Sequence, residues 1–261
     1  MRSLNIAATG MVAQQTNVEV ISNNIANMNT TAYARRRAEF NDLLYQNIKR
    51  GGAASSDAGT IVPAGIQLGM GVKTAAVYRI TEQGSLLNTN NTFDLAIQGK
   101  GYFQVLLPSG ETAYTRDGSF QINADGLLVT HEGYQVQPGI SIDSAAIDVT
   151  VNNSGEILVK LDGQVTATNA GQIQLATFAN EAGLEAMGKN LFKETPASGQ
   201  ASAAVPGTTG YGTLLQGFLE TSNVNVVAEV TDLISAQRAY EMNSKVIQTS
   251  DDMMSTVVNL K

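Results

Sequence analysis

Cysteine and tryptophan are absent from this 261-residue chain, and His131 is its sole histidine. Disulfides, thiolate metal sites and cysteine nucleophiles are therefore excluded, as is any site that needs two imidazoles. Charge is scarce as well: 15% of the residues are Asp, Glu, Lys or Arg, against roughly 25% in an ordinary soluble domain. The longest apolar runs fall short of 18 residues, so the sequence offers no membrane-spanning helix. A secretory signal is missing too, because Asn5, Thr9, Gly10, Gln14 and Gln15 interrupt any apolar segment after Arg2. On these residues alone the chain reads as cytoplasmic.

Amides, hydroxyls and glycine supply the polarity that ions do not, with 21 Asn, 24 Thr and 25 Gly. The formal charge of −7 argues against nucleic acid, whose phosphates need a basic face. That charge is uneven. Residues 1–50 hold six Lys/Arg against three Asp/Glu, whereas residues 51–261 hold ten against twenty. The last 45 residues, 217–261, hold three against six. The two ends thus differ in sign, as ends that meet would.

From 3 to about 29 there is no proline, and residues recur every seven positions: Leu4, Met11, Val18 and Ile25 in one row, Ala7, Gln14, Ile21 and Met28 in the other. Rows three and four residues apart share one helix face and form a coiled-coil seam. Such a helix is about 40 Å long. The other end repeats the design with Val226, Leu233, Tyr240, Ile247 and Met254, accompanied by Val230, Gln237, Ser244, Asp251 and Val258. Beside them runs a further row of Ala239, Val246, Met253 and Leu260, and Val227 and Ile234 widen the upper half. A single partner helix would leave part of this apolar surface wet, so either the helix packs along its own domain or other subunits bury the surplus face.

Between the helices the period changes to two. Strands are expected at 72–80, 102–107, 112–116, 120–122, 127–130, 134–137, 147–151, 156–161 and 172–178, with Asp117-Gly118, Asp125-Gly126 and 152–155 as turns. Breaker-rich stretches at 51–60 and 195–213 fence this region off. The fold class expected is α+β: N- and C-terminal helices paired as a coiled coil, joined through extended linkers to a central antiparallel β domain. The divisions are 1–45 (helix and turn), 46–70 (extended linker), 71–192 (β domain), 193–216 (return linker) and 217–261 (second helix).

Chemistry is hard to find. Gly99-Lys100-Gly101 precedes a strand and lacks the third glycine of a dinucleotide fingerprint. Asp117 and Asp125 each precede a glycine, as turn residues do, and miss EF-hand spacing. His131 sits in a turn with no nucleophile motif nearby. Arg35, Arg36 and Arg37 are followed by Glu39 and Asp42 at helical spacing for ion pairs. No catalytic residue, cofactor or metal is expected.

Several runs resemble the signatures of the bacterial flagellar rod and hook family. The first is Ser22-Asn23-Asn24-Ile25-Ala26-Asn27, continuing through Thr30-Thr31-Ala32-Tyr33 to Arg37-Ala38-Glu39-Phe40. The last is Gln237-Arg238-Ala239-Tyr240-Glu241-Met242-Asn243. Between them lie Phe93-Asp94-Leu95-Ala96-Ile97, Gly99-Lys100-Gly101-Tyr102-Phe103, Tyr114-Thr115-Arg116-Asp117-Gly118 and Gln216-Gly217-Phe218-Leu219-Glu220. The run 38–46 is most similar to distal rod members. Ala32 stands where the family commonly has glycine and Ala34 where lysine is frequent, so a left-handed backbone at 32 is not expected.

The resemblance implies a self-assembling tube, a stiff drive shaft that transmits torque. Its partners would be copies of itself, proximal rod proteins below, hook protein above, P-ring and L-ring proteins around it and the flagellar export apparatus. It implies export without a cleaved signal peptide to a periplasmic rod reaching the outer membrane, which replaces the cytoplasmic reading. Leu4, Met11, Val18, Ile21, Ile25, Met28, Val226, Val230, Leu233, Tyr240, Ile247, Met254 and Val258 are the expected assembly residues, ordering as neighbours bury them. A proximal rod or hook subunit, or an exported binding module or hydrolase carried on the β domain, are the alternatives; the last needs convergent titratable groups.

Overall fold

The computed structural model describes residues 2–49, 64–143, 145–162 and 166–259. The chain divides into two compact units, one formed by 1–26, 36–79 and 225–261 and the other by 27–35 and 80–224. The expected α+β class is what the structure has: a helix at each end and an antiparallel β region between them.

The first unit begins with α1 (Arg2–Ala26) and continues through β1 (Arg36–Asp42), β2 (Tyr45–Lys49), β3 (Ile66–Gly69) and β4 (Val72–Arg79). β1 pairs with β4 and β2 with β3, each pair an antiparallel two-stranded ribbon. Arg36–Asp42 is thus a strand, and the helical spacing read from Arg35–Arg37 to Glu39 and Asp42 is not used. Cross-strand pairing with Val72–Arg79 satisfies its backbone instead.

The second unit holds β5 (Leu86–Asn88), β6 (Leu95–Gln98), β7 (Tyr102–Leu106), β8 (Thr112–Thr115), β9 (Phe120–Ile122), β10 (Leu128–Thr130) and β11 (Gln135–Val136). They are followed by β12 (Ala146–Val151), β13 (Glu156–Leu161), β14 (Thr168–Gln172), β15 (Leu175–Thr177), β16 (Glu185–Gly188) and β17 (Leu191–Lys193). Last come β18 (Ser202–Ala204), β19 (Thr213–Gln216) and β20 (Phe218–Glu220). The main sheet runs β16-β17-β8-β7-β11-β10-β9, with β15 against β7 and β18 against β15; β12-β13-β14 form a second sheet. β19 pairs with β6 and β20 with β5.

β7 is buried on both faces, which explains why the core has two parts. Phe103 and Val105 point into a cluster with Leu95, Ile97, Phe120 and Leu128, where Phe103 and Phe120 meet edge-to-face at 5.0 Å. Tyr102 points the other way, to Tyr114, Phe178 and Leu184. The stretch expected as a return linker over 193–216 belongs to this unit: Ser198 is fully buried, and β18 and β19 pair inside it. Its glycines and serines build turns between short strands, so composition alone misread it.

α2 (Val226–Asn259) returns to the first unit. Asn225 caps it, its side-chain oxygen accepting from the Val227 and Ala228 N–H groups at 3.1 and 3.3 Å.

Candidate assembly surfaces

α1 and α2 pack against each other within the first unit. Two close approaches set their direction. A Cβ placed on Gly10 would lie 2.9 Å from the Asn243 amide nitrogen, and Asn24 donates to the Glu229 carboxylate at 3.1 Å. Gly10 and Asn24 are 14 residues apart, as are Glu229 and Asn243, so the helices are antiparallel and two heptads separate the contacts. Gly10 costs about 1 kcal/mol of helix propensity and permits this approach.

Asn24 is the most connected residue of the pair. Its side chain, 1% exposed, donates to the Arg36 carbonyl at 2.8 Å and accepts from the Arg36 N–H at 2.9 Å, besides its bond to Glu229. One amide therefore joins α1, α2 and the start of β1. Further along α1, the Thr9 hydroxyl accepts the Val72 N–H at 3.3 Å, and α1 packs on β1 and β4.

The inward row of α2 differs in part from the expected one. Glu229, Ala236 and Ser250 are buried and Asn243 is half-buried, while Leu233, Ile247 and Met254 beside them are half-buried. The companion row Val230, Gln237, Asp251 and Val258 is exposed and Ser244 half-buried. On α1, Ile21 is buried with Ala7, whereas Leu4, Met11, Val18 and Ile25 are half-buried along its flank; Met28, past the helix, is exposed. Among the inward residues Ala7, Ala236 and Ser250 are small and let the two backbones come close, while Glu229 is held there by its bond from Asn24.

What remains outside is apolar. Val226, Val227, Val230 and Ile234 are exposed on the first turns of α2, with Val227 at 78%. Tyr240, Met242, Val246, Met253 and Val258 are exposed farther on, Val258 at 69%. The β2–β3 ribbon adds exposed Tyr45, Ile48, Ile66 and Leu68, and Leu44 before it is 84% exposed. A lone two-stranded ribbon is marginal in water. Residues 50–63 and Leu260 of the expected surfaces lie outside the described residues.

The family-like signature residues take varied positions. Ser22, Asn23, Ala26, Arg37, Gln237, Arg238 and Tyr240 are exposed, and Phe40 and Ala239 are half-buried. Asn27 accepts from the Thr30 hydroxyl at 3.1 Å in the turn after α1. Ala32 does adopt φ +54, in the left-handed region, held by its N–H donating to the Glu220 carbonyl at 2.8 Å. Tertiary hydrogen bonding overrides the preference of alanine there.

Sequence reasoning missed a buried ion pair in the second unit. Arg116 Nε lies 2.6 Å from Glu220 Oε2, with both side chains largely enclosed. The same guanidinium donates to the carbonyls of Gly101 and Gly99 at 3.1 and 2.7 Å, and Glu220 accepts the Gly84 N–H at 2.9 Å. All but Gly84 fall in quoted signature runs, which was the signal available. In the same unit, Thr115, Asp117, Ser119, His131, Glu132, Lys189 and Asn190 line a cavity of about 210 Å³. Its polar groups bond one another: Asp117 accepts from Ser119 at 2.7 Å and from Asn190 at 3.1 Å, and Lys189 pairs with Glu132 at 2.8 Å. Glu132 raises the pKa of Lys189 by hydrogen bond and charge. Among the described residues, no group of three or more acidic, His or Cys side chains could hold a metal.

The charge follows the units. By sequence the first carries ten Lys/Arg and nine Asp/Glu, the second six and fourteen.

Three family models match the chain. Residues 4–33 match "Flagella basal body rod protein", 96–159 "Flagellar hook protein FlgE/F/G D1 domain" and 215–260 "Flagellar basal body rod FlgEFG protein C-terminal". Among curated relatives, a protein of Caulobacter vibrioides named flagellar basal-body rod protein FlgG is 60% identical, over the whole of both chains. Proteins of the same name from Agrobacterium fabrum and Borreliella burgdorferi are 53% and 49% identical, over all of this chain and 100% and 99% of theirs.

Proposed function

The chain belongs to the FlgG family of flagellar basal-body rod proteins, and on that premise we propose that it is the subunit of a helical, tubular distal rod built by self-assembly. The tube acts as the stiff shaft between proximal rod and hook, passing torque outward through the P and L rings. The subunit reaches the periplasm by the flagellar export apparatus. The helix pair and the β2–β3 ribbon supply the surfaces between copies.

One observation carries this reading. α2 has 34 residues and packs on α1 alone among the elements it meets substantially, yet Val226, Val227, Ile234, Met242, Val246 and Met253 remain exposed. Burying such side chains between copies gains about 25 cal/mol per Å² of apolar surface. The second unit carries the net negative charge, six Lys/Arg against fourteen Asp/Glu.

Electron microscopy of the full chain, concentrated in ammonium sulfate to strengthen apolar burial, tests the reading. Wild-type protein is expected to form tubes. Met242→Asp and Val246→Asp, both at exposed positions, are expected to stay monomeric with unchanged circular dichroism. Tubes from these variants, or none from wild type, would count against it.

A further inference from the structure

The two helices of the first unit are unequal in length, and their register shows where the excess lies. Gly10 sits by Asn243 and Asn24 by Glu229, so along the pair each α1 residue lies level with the α2 residue that brings the sum of their numbers to 253. Arg2, the first residue of α1, is then level with Asp251. Residues 252–259 of α2 project past it, about 12 Å of helix.

This projection is poorly suited to water. Met253 is 60% exposed and Val258 still more so. Asp251 and Asp252 are exposed near the C-terminal end, and the last described turn has no basic residue. Lys261 lies outside the described residues.

The opposite end of the same unit is its complement. Val226, Val227, Val230 and Ile234 are exposed on the first turns of α2. Asn24 ties Arg36 beside Glu229 at this end, and the Arg36 and Arg37 side chains are exposed. Glu229, the acid of the first turn of α2, is buried against Asn24, and Asp232 is the exposed acid among these apolar residues.

We propose that the 252–259 projection of one copy seats on the Val226–Ile234 end of the next, with Asp251 and Asp252 facing its Arg36 and Arg37. The occupant is a second copy of this chain, because apolar surface and charge match between two ends of one unit. A contact between different ends is heterologous, and where the rotation between copies does not close a ring it propagates as a filament. The proposal rests on the self-assembly reading and adds the axial contact to it.

The absence of native cysteine makes the test direct. Ile234→Cys and Val258→Cys are introduced together, since Asp252 level with Glu229 brings Val258 to within about one residue of the level of Ile234 in the next copy; along one helix these positions are about 36 Å apart, far beyond disulfide reach within a copy. Tubes are oxidised with a diazene thiol oxidant and run on a non-reducing gel. A ladder of dimers, trimers and longer species is expected from the double variant, and nothing beyond dimers from either single one. In a second arm, Asp251→Lys/Asp252→Lys or Arg36→Glu/Arg37→Glu raises the assembly concentration about tenfold, and the combined swap restores it to within about twofold. Tubes that give no ladder overturn the end-to-end seating and leave self-assembly standing. A wild-type chain that forms no tubes overturns both. If the cysteine variants fail to assemble, a combined swap that does not restore assembly overturns the seating.

Discussion

Replacing Asn24 by leucine removes the amide that joins α1, α2 and β1 while keeping the side-chain volume similar. Three hydrogen bonds go: two with the Arg36 backbone, at 2.8 and 2.9 Å, and one to the Glu229 carboxylate at 3.1 Å. Asn24 is 1% and Glu229 6% exposed, so water does not readily replace the lost partner. Each neutral bond contributes about 1 kcal/mol and the charged one about 2, and partial relaxation brings the expected cost to about 3 kcal/mol. That corresponds to a roughly 100-fold loss of protection. Hydrogen exchange on the full chain should show it at the amides around Ile21–Ile25 and Glu229–Leu233, with the β sheet unaffected. Glu229→Leu alone should cost less, and Asn24→Leu/Glu229→Leu should cost about 1–2 kcal/mol less than the two single changes added. Less than threefold loss of protection in Asn24→Leu, or additivity within about 0.5 kcal/mol, would refute the claim that this amide joins the helices.

Three other outcomes are expected. Gly118→Ala should cost about 3 kcal/mol, since its methyl would overlap the Leu95 carbonyl oxygen and crowd the Phe103 ring; an unchanged urea midpoint by tyrosine fluorescence would show the strand-to-strand approach to be loose. Ala32→Gly should stabilise by about 0.5–1 kcal/mol, because φ +54 strains alanine more than the added unfolded-state freedom costs; a lower urea midpoint would contradict this. Burial first, then the charge and hydrogen bond of Glu194, raise the pKa of Tyr114 above its ordinary 10.0. The folded state then holds its proton more tightly than the unfolded one. Its contribution is complete below pH 10.0 and is lost as pH rises through the folded value. Tyr114→Phe should flatten the alkaline end of the stability profile, and an unchanged profile would remove Tyr114 as its cause.

Much of the architecture follows from local periods. Seven-residue recurrence marked both helices, and alternation with Asp-Gly turns marked Thr112–Thr115, Phe120–Ile122 and Glu156–Leu161. The run read as one strand over 172–178 is two, because Gln172 ends pairing with β13 and Leu175 begins pairing with β7 and β15's other neighbour. Such a switch of partner leaves no trace in alternation. Strands of two to four residues, such as Leu86–Asn88 and Ser202–Ala204, are too short to show any period.

The sequence by itself determined two long helices, a β-rich middle, an unusually uncharged composition and the exclusion of disulfide chemistry, all properties of spacing and count. Only the tertiary structure decided which heptad row of α2 turns inward, that 36–42 is a strand, and that Arg116 and Glu220 meet across 104 positions. Neighbouring rows on α2 are both rich in small and apolar residues, so periodicity cannot choose between them. Close approach at Gly10 and the bonds of Asn24 do choose, because each lowers the free energy only when another part of the chain is in place.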